Sequence, residues 1–282
     1  MTEERSAAGR LTDEIVQPVD SATVLLVRDA VEGAGGVEVL LLERHLDSDF
    51  AGGAYVFPGG KVGAEDRALD PARWQASSLS AWHDRLGVGS DEEVLGLLVA
   101  AVRETFEEVG VLLAHREGGE PIVAQDLMTP SFRSARERLA SREGRWDWRT
   151  WLEEERVVLD LDTLALWSWW VTPEGQHKRF DTRFFIAAAP PDQIAEHDRV
   201  EATEVLWATP QDALAAQVRG EVTIIFPTRR NLETLARFPT AEAAVQAANA
   251  GAVDQRRIVP TMVRVDGKIL VQHPDEDEPS PV

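Results

Sequence analysis

The chain has 282 residues, 44% of them hydrophobic, and a formal net charge of −20. This allows one large domain and argues against a general nucleic-acid binder, because attraction to phosphates needs a basic surface. Cysteine is absent, which excludes disulfides, thiolate chemistry and Cys-ligated zinc and favours Mg2+ or Mn2+ on oxygen ligands for any metal site.

The two ends of the chain differ in composition from the rest. Residues 1–18 are polar and aperiodic, and residues 273–282 hold an acidic run beside prolines, so both are predicted to be disordered. The chain has no run of eighteen apolar residues, and its first residues lack the basic-then-apolar order of a signal peptide. We expect a cytoplasmic protein with no membrane partner, folded as a single domain over residues 19–272.

Short β-rich runs open this domain. Residues 22–27 and 37–42 are separated by a glycine-rich stretch, which predicts a hairpin. Residues 55–57 predict a short strand that ends at the Pro-Gly-Gly of residues 58–60. The stretch 67–95 has mixed composition and no clean period, and we interpret it as an inserted helical excursion.

A long helix is predicted next. Ser90 and Glu93 have capping-box spacing, and Gly110 is placed to end the helix. At 100° per residue, one stripe of apolar residues predicts the core face: Leu95, Leu98, Val102, Phe106 and Val109. Three carboxylates fall on the opposite side, where we expect solvent and ligand to reach them: Glu104, Glu107 and Glu108.

The remaining pattern mixes helices and strands. Residues 115–160 are predicted to form a second insertion with two short helices, one from Thr129-Pro130 towards Ser141 and one near residues 148–155. The two insertions are expected to form a lid or a homodimer contact. Further strands are predicted at 166–171, 179–188 and 205–208, helices capped by Thr209 and Thr228, and a hairpin over 262–271 with an Asp-Gly turn. The mixture predicts an α/β (α+β) fold.

Residues on both sides of the first insertion resemble the Nudix box. Gly60 and Asp66 supply a glycine with an acidic residue six positions later, and residues 103–111, Arg-Glu-Thr-Phe-Glu-Glu-Val-Gly-Val, match R-E-U-x-E-E-x-G-U. The acidic residue is Asp where the family usually has Glu. Because 36 residues separate Asp66 from Arg103, where the family normally has seven, the box is interrupted by an insertion of about 29 residues.

The resemblance implies a Nudix-type α/β/α sandwich with a mixed central sheet and helical insertions. It also implies metal-dependent cleavage of a diphosphate, because divalent cations on fixed carboxylates neutralise the charge of the reacting phosphates. The implied metal ligands are Glu104, Glu107, Glu108 and the carbonyl of Gly60, with Asp66 as a further member.

Individual roles follow from this comparison. Glu104 is the favoured acceptor of the water proton, and Arg103 is placed to hold Glu107 by a charge-assisted hydrogen bond. Family members often draw a further acid from a later loop, for which Glu201 and Glu204 are candidates. Their alternative interpretation is that of ordinary surface glutamates.

The interrupted box resembles, more narrowly, the branch that contains the peroxisomal coenzyme A diphosphatases, over roughly residues 20–240. Arg44, Gly53 and Phe57 with the following Pro-Gly-Gly fall at the spacing of the signature found in coenzyme A-cleaving members. Three positions depart from it: Leu42, His45 and Asp49. Substrate-binding cations are predicted at Arg44, Lys178, Arg179 and Arg183, with surface solubility or cross-strand pairing as the alternative.

Several functions stay open at this point. The resemblance favours cleavage of coenzyme A or an acyl-coenzyme A to 3′,5′-ADP and a 4′-phosphopantetheine product. The alternatives are a pyrophosphatase for ADP-ribose, a dinucleotide or another nucleoside diphosphate derivative, and a non-catalytic nucleotide-sensing module. Tryptophans cluster at residues 146–151 and 167–170, where they either contact the substrate or pack the inserted helices on the sheet.

Overall fold

A computed structural model describes residues 5–6, 9–12, 14–30, 36–46, 51–141, 146–196 and 202–281. In chain order, its strands are β1 (Arg5–Ser6), β2 (Gly9–Arg10), β3 (Val19–Asp29), β4 (Val37–Arg44), β5 (Ala54–Val56), β6 (Gly59–Lys61), β7 (Trp74–Gln75), β8 (Ala114–Arg116), β9 (Val157–Asp160), β10 (Ala165–Val171), β11 (Phe180–Ala188), β12 (Ala202–Ala208), β13 (Thr223–Ile224), β14 (Arg257–Ile258), β15 (Thr261–Val265), β16 (Lys268–Gln272) and β17 (Ser280–Pro281). Its α-helices are α1 (His83–Leu86), α2 (Asp91–Val109), α3 (Ala124–Leu127), α4 (Pro130–Ser141), α5 (Trp148–Glu154), α6 (Pro210–Val218), α7 (Phe226–Leu235) and α8 (Ala241–Asn249).

Nine strands form one mixed sheet at the centre of the molecule. The main path runs β13-β5-β4-β3-β11-β10-β14, with β12 paired to β4 and β6 paired to β3. β3 is antiparallel to β4, as the predicted hairpin requires, and parallel to β11. The predicted mixed sheet is therefore confirmed.

The sheet separates two apolar cores because side chains alternate between its faces. Along β3, Val24 and Leu26 belong to the core that contains α2, whereas Leu25 and Val27 belong to the core that contains α7 and α8. Both faces of the strand are buried, which accounts for its continuous apolar run. Helices on both faces give the α/β/α sandwich that was predicted.

The long helix α2 ends where the sequence predicts. The Ser90 hydroxyl accepts a hydrogen bond from the Glu93 N–H at the start, and Gly110 ends the helix with a left-handed φ of 70°. The predicted apolar stripe is buried. The prediction that the opposite face is solvated is wrong, however. Most of the helix is buried, because the sheet covers one side and the inserted segments cover other sides.

The first insertion contains little regular helix. It consists mainly of 3-10 turns at Asp66–Ala68, Pro71–Arg73 and Ser80–Trp82 and the one-turn helix α1, which corrects the prediction of a helical excursion. It packs on the α2 side of the sheet, where Trp82 meets the ring of Phe185 edge-on at 6.0 Å between centroids.

The second insertion contains the two predicted helices, α4 and α5. They dock on α2 through three aromatic rings: Trp151 stacks on Phe106 at 5.8 Å and meets Phe132 edge-on at 4.8 Å. This cluster buries one side of α2 without involving the sheet.

The C-terminal part agrees with the predictions in most places. The hairpin of β15 and β16 turns at Asp266-Gly267, and Thr209 caps α6. The cap predicted at Thr228 is wrong, since α7 already begins at Phe226. α8, capped by Thr240, has no counterpart in the predictions.

Both chain ends predicted to be disordered make contacts in their described parts. The carbonyl of Val16 accepts a hydrogen bond from Arg179, and β17 pairs with β16. In the ranges that the structure describes, no helix is long and apolar enough to span a bilayer.

Candidate functional site

A cavity of about 1200 Å3 joins the two halves of the interrupted box. One part of its lining comes from β6 and α2, another from the second insertion, and a third from β10, β11, α7 and β16. Because ligand sites are usually concave, with polar groups set in apolar walls, this cavity is the candidate site.

The three glutamates of the box lie along α2. Glu104, Glu107 and Glu108 are each at most 3% exposed, and Glu104 and Glu107 line the cavity. Glu108 accepts a hydrogen bond of 2.8 Å from the N–H of Gly59. Their burial differs from the exposed position that helical periodicity predicted, and a ligand in the cavity would meet Glu104 and Glu107 first.

Arg103 is the hub of this cluster. Its Nε and Nη2 donate to the two oxygens of Asp66 at 2.8 and 2.9 Å, and its Nη1 donates to Glu104 at 2.8 Å and to Glu107 at 3.2 Å. Its Nη2 also donates to the carbonyl of Lys61. The predicted contact with Glu107 is present, and a forked guanidinium is the side chain best suited to several such bonds.

Asp66 and Arg103 both hold other groups of the cluster in position. Asp66 accepts from Arg103 with both oxygens and from the N–H of Gly63, so it positions Arg103 and joins the box halves across the first insertion. Arg103 in turn holds the carboxylates of Glu104 and Glu107 in position. Burial by itself would lower the pKa of Arg103, but Glu104, Asp66 and Glu107 outweigh it and hold the pKa above its ordinary value.

Gly60 lies close to the carboxylate of Glu104. A Cβ atom built at Gly60 would fall well inside van der Waals contact with that carboxylate, so a side chain at this position would displace Glu104. The Gly60 carbonyl accepts a 2.7 Å hydrogen bond from the hydroxyl of Ser21 on the adjacent strand β3. β3 therefore fixes the backbone of Gly60 against the carboxylate of α2.

The donor set suits a hard divalent cation. Asp66, Glu104, Glu107 and Glu108 are four buried carboxylates, and Arg103 supplies one positive charge against them, so further positive charge would lower the cost of their burial. Within the described ranges, no group of three or more acidic or histidine side chains is already arranged so that it could hold a metal ion.

The face of β11 decides which of its residues reach the cavity. Phe180, Thr182 and Phe184 line it, as alternation along a strand requires. Arg179 and Arg183 are not part of the lining, and their contacts match the alternative of structural pairing. Arg179 donates to the carbonyls of Thr172 and Val16.

Arg183 instead holds the first insertion to the sheet. It donates to the carbonyl of Leu86 and pairs with Asp20 and Asp181, and its guanidinium lies 4.3 Å from the ring centroid of Trp169. Arg183 lies between Thr182 and Phe184 in the strand, so its side chain is on the opposite face of the sheet from the cavity, where its contacts are structural.

Other predicted substrate residues divide in a similar way. Arg44 and Phe57 line the cavity, as does Lys178. Gly53 does not line it; its N–H donates to the carbonyl of Arg44 at 3.0 Å, so it shapes the loop next to that cation. The departing position Asp49 lies outside the described residues.

One of the two candidates for a late carboxylate, Glu204, does not line the cavity. Glu204 lies exposed on β12 and accepts a 2.8 Å hydrogen bond from the hydroxyl of Tyr55, away from the cavity lining. Burial, followed by this hydrogen bond, raises the pKa of Tyr55 above its ordinary value. Glu201 falls outside the described residues, so its role stays a prediction.

Arg136 of the second insertion is a site residue that the sequence did not indicate. Its Nε donates to the carbonyl of Glu107 at 3.0 Å and its Nη2 to the carbonyl of Glu108 at 2.9 Å. These carbonyls belong to the last turn of α2, where backbone acceptors lack helical partners and the helix dipole favours a positive charge. Only the fold brings α4 to this end of α2.

Aromatic and basic side chains form the rest of the lining. The second insertion contributes Arg138, Trp146, Trp148 and Arg149. The C-terminal half contributes a further wall, whose apolar members include Trp170, Val171, Phe184, Phe226 and Val271. Of these, the tryptophans were considered from the sequence, whereas Phe226 and Val271 gave no signal there.

Comparison with known proteins agrees with this site. Residues 70–235, more than half of the chain, match the NUDT19 Nudix domain family. A crystal structure of a Nudix hydrolase from Alicyclobacillus acidocaldarius is similar with a TM-score of 0.66 and 26% identity, covering 83% of this chain and 97% of that one.

Curated relatives point to the same family. The acyl-coenzyme A diphosphatase NUDT19 of Homo sapiens is 29% identical over 73% of this chain and 62% of its own length. Its Xenopus laevis namesake is 28% identical over 85% of this chain and 70% of its own length. This chain thus spans less than two thirds of the human relative. The match over residues 70–235 shows that the chain belongs to the NUDT19 Nudix domain family.

Proposed function

We propose that the protein hydrolyses the diphosphate bond of coenzyme A or an acyl-coenzyme A, using a divalent cation. One observation carries this proposal: a single cavity of about 1200 Å3 joins a buried carboxylate cluster to basic side chains and to an aromatic wall. Coenzyme A is built in the same order, because its phosphates lie at one end and a long, less polar arm extends from them. The names of the human and Xenopus relatives support the same substrate class.

Glu104, Glu107 and Glu108 would hold the cation, which we propose to be Mg2+ or Mn2+. Carboxylate oxygens are the ligands these ions prefer, and the cation would neutralise charge on the diphosphate during the reaction. Because Arg103 and Gly59 already bond to these carboxylates, binding requires small side-chain rotations, which are common on ligand binding.

The residues around the cluster have distinct tasks in this reaction. Arg44, Lys61 and Lys178 line the cavity and attract the phosphates in a chain whose net charge is strongly negative. A carboxylate, for which we favour Glu104, takes a proton from a water molecule while the oxygen of that water forms a bond to one phosphorus. The bridging P–O bond breaks, and the leaving phosphate carries away the bridging oxygen. Asp66 and Arg103 keep the carboxylates in place throughout.

A substrate panel tests the proposal. The protein is incubated with Mg2+ or Mn2+ and with coenzyme A, octanoyl-coenzyme A, ADP-ribose or a dinucleoside diphosphate, and products are separated by chromatography. We expect 3′,5′-ADP from the two coenzyme A species, and loss of turnover when EDTA is added. Cleavage of ADP-ribose without cleavage of either coenzyme A species would contradict the proposal.

Matched variants of α2 test the site itself. Glu107→Gln and Glu108→Gln remove negative charge with little change in volume, so turnover should fall on the order of 100-fold in each. Glu92→Gln is the control, because Glu92 is exposed in the first turn of the same helix. Undiminished metal-dependent hydrolysis in both cluster variants would remove the proposed site.

A further inference from the structure

The C-terminal segment, residues 257–281, completes one end of the cavity. Pro260 and Val271 from this segment are part of the lining, and Val271 is 3% exposed. The family match ends at residue 235, so these residues lie outside it.

Strand register gives the position of this end relative to the carboxylates. Lys61 pairs with Ser21, Ser21 with Thr182, and Thr182 with Trp170, in one row across β6, β3, β11 and β10. All four residues line the cavity. Three strand spacings place Trp170 ~14 Å from Lys61, and Lys61 directly follows Gly60, which touches Glu104. The cavity therefore extends well beyond the reacting diphosphate.

The far end is apolar and held in place. The ring of Trp170 meets Phe226 edge-on at 5.8 Å, and its Nε1 donates to the hydroxyl of Ser168, which donates to Asn231. Trp170 and Phe226 are less than a tenth exposed. An aromatic wall fixed by hydrogen bonds behind it is suited to binding an apolar group.

The C-terminal segment supports this wall from a second side. Ile258 pairs with Trp170 in the sheet, and the imidazole of His273 meets the Trp170 ring at 5.7 Å between centroids. His273 is itself buried, and its Nδ1 accepts from the N–H of Asp275. The segment is thus built into the cavity wall at several points.

We propose that residues 257–281 form a specificity element, in which Val271, with Trp170 and Phe226, binds the end of the substrate arm remote from the diphosphate, including a thioester-linked acyl chain. This inference rests on the proposed coenzyme A diphosphatase function. The row of paired residues supports it, because a substrate cleaved at the carboxylates must extend its arm across β3 and β11 to reach Trp170. An apolar chain there is removed from water, which favours its binding.

Val271→Phe is the direct test, because a larger side chain fills the recess. The kcat/KM values for octanoyl-coenzyme A and for free coenzyme A are measured in the wild type and the variant, with Mg2+. We expect their ratio to fall about tenfold, the scale on which apolar pockets discriminate small changes in volume. Val265→Phe makes the same change on the same hairpin at a residue that is 42% exposed, and its ratio should equal that of the wild type.

Val271→Ala covers the case in which the larger side chain prevents folding, which thermal unfolding of each variant will show. This variant enlarges the recess, so the preference for dodecanoyl- over octanoyl-coenzyme A should rise. Wild-type chain-length preference in every folded Val271 variant would overturn the inference. Failure of the proposed function looks different, since the wild type itself would then cleave ADP-ribose but neither coenzyme A species.

Discussion

The two insertions occupy the same side of the sheet but differ in what they contribute to the site. None of the residues between Asp66 and Arg103 lines the cavity, although all are described. The second insertion supplies Arg138, Trp146, Trp148 and Arg149 to the lining and a clamp on α2 through Arg136. An insertion that splits a catalytic motif in sequence therefore need not lie near the chemistry.

The difference has a physical origin in what holds the box together. Asp66 and Arg103 make a buried bidentate pair, so the chain between them can leave the site and return without separating the two halves. The first insertion uses that freedom to pack on β10 and β11, where Arg183 binds the carbonyl of Leu86. Substitutions in the second insertion should therefore lower turnover more than substitutions in the first.

Arg103→Gln should have the largest effect, because it breaks the connection between Asp66 and the carboxylates of α2. Removing one partner of a buried charge network costs about 3–5 kcal/mol of unfolding free energy, and turnover should fall about 10–100-fold because the carboxylates lose their support. Chemical unfolding and steady-state kinetics measure the two effects. Arg103→Lys keeps the charge but not the fork, so it should recover stability better than turnover. Wild-type turnover in both variants would refute the positioning role.

Arg136→Gln should come next, and it separates the second insertion from the first. Loss of the bonds to the carbonyls of Glu107 and Glu108 frees the last turn of α2, and small displacements of reacting groups are costly. We expect kcat to fall about tenfold with KM nearly unchanged. Arg133→Gln alters an exposed arginine of the same helix and should leave kcat at the wild-type value. Equal kcat values for the two variants would show that the clamp has no role in turnover.

The sequence predicted the parts of the fold that depend on local signals. The capped helix from Ser90 to Gly110 and the Asp-Gly hairpin need only neighbouring residues, and the box needs only its spacing. The face that each residue of β11 presents to the cavity, by contrast, is set by pairing with distant strands, so the sequence could not separate Lys178 from Arg179 and Arg183. Arg136 could not be predicted, because its partners lie in another helix and are backbone carbonyls.

Trp146→Ala should have a smaller effect on turnover, expressed in KM. Trp146 lines the cavity on the second insertion, and the guanidinium of Arg138 lies 5.8 Å from its ring centroid. A single aromatic contact contributes about 0.5–1.5 kcal/mol beyond its burial, so KM for coenzyme A should rise several-fold while kcat changes little. Trp146→Phe keeps a ring and should restore most of the binding. A fall in kcat at unchanged KM would assign the residue to the chemical step instead.

Trp82→Leu should have the smallest effect on turnover and isolates the first insertion. Trp82 packs against Phe185 on the sheet, and Arg85 lies 4.9 Å from its ring centroid, yet neither Trp82 nor Phe185 lines the cavity. Loss of this packing should lower the unfolding free energy by about 1–3 kcal/mol, while kcat/KM of the folded protein stays within about twofold of wild type, because the Asp66–Arg103 pair still holds the site. Kinetics below the unfolding transition, together with denaturant unfolding, separate the two quantities. A large loss of turnover without loss of stability would mean that the first insertion acts on the site after all, and the distinction between the two insertions would fail.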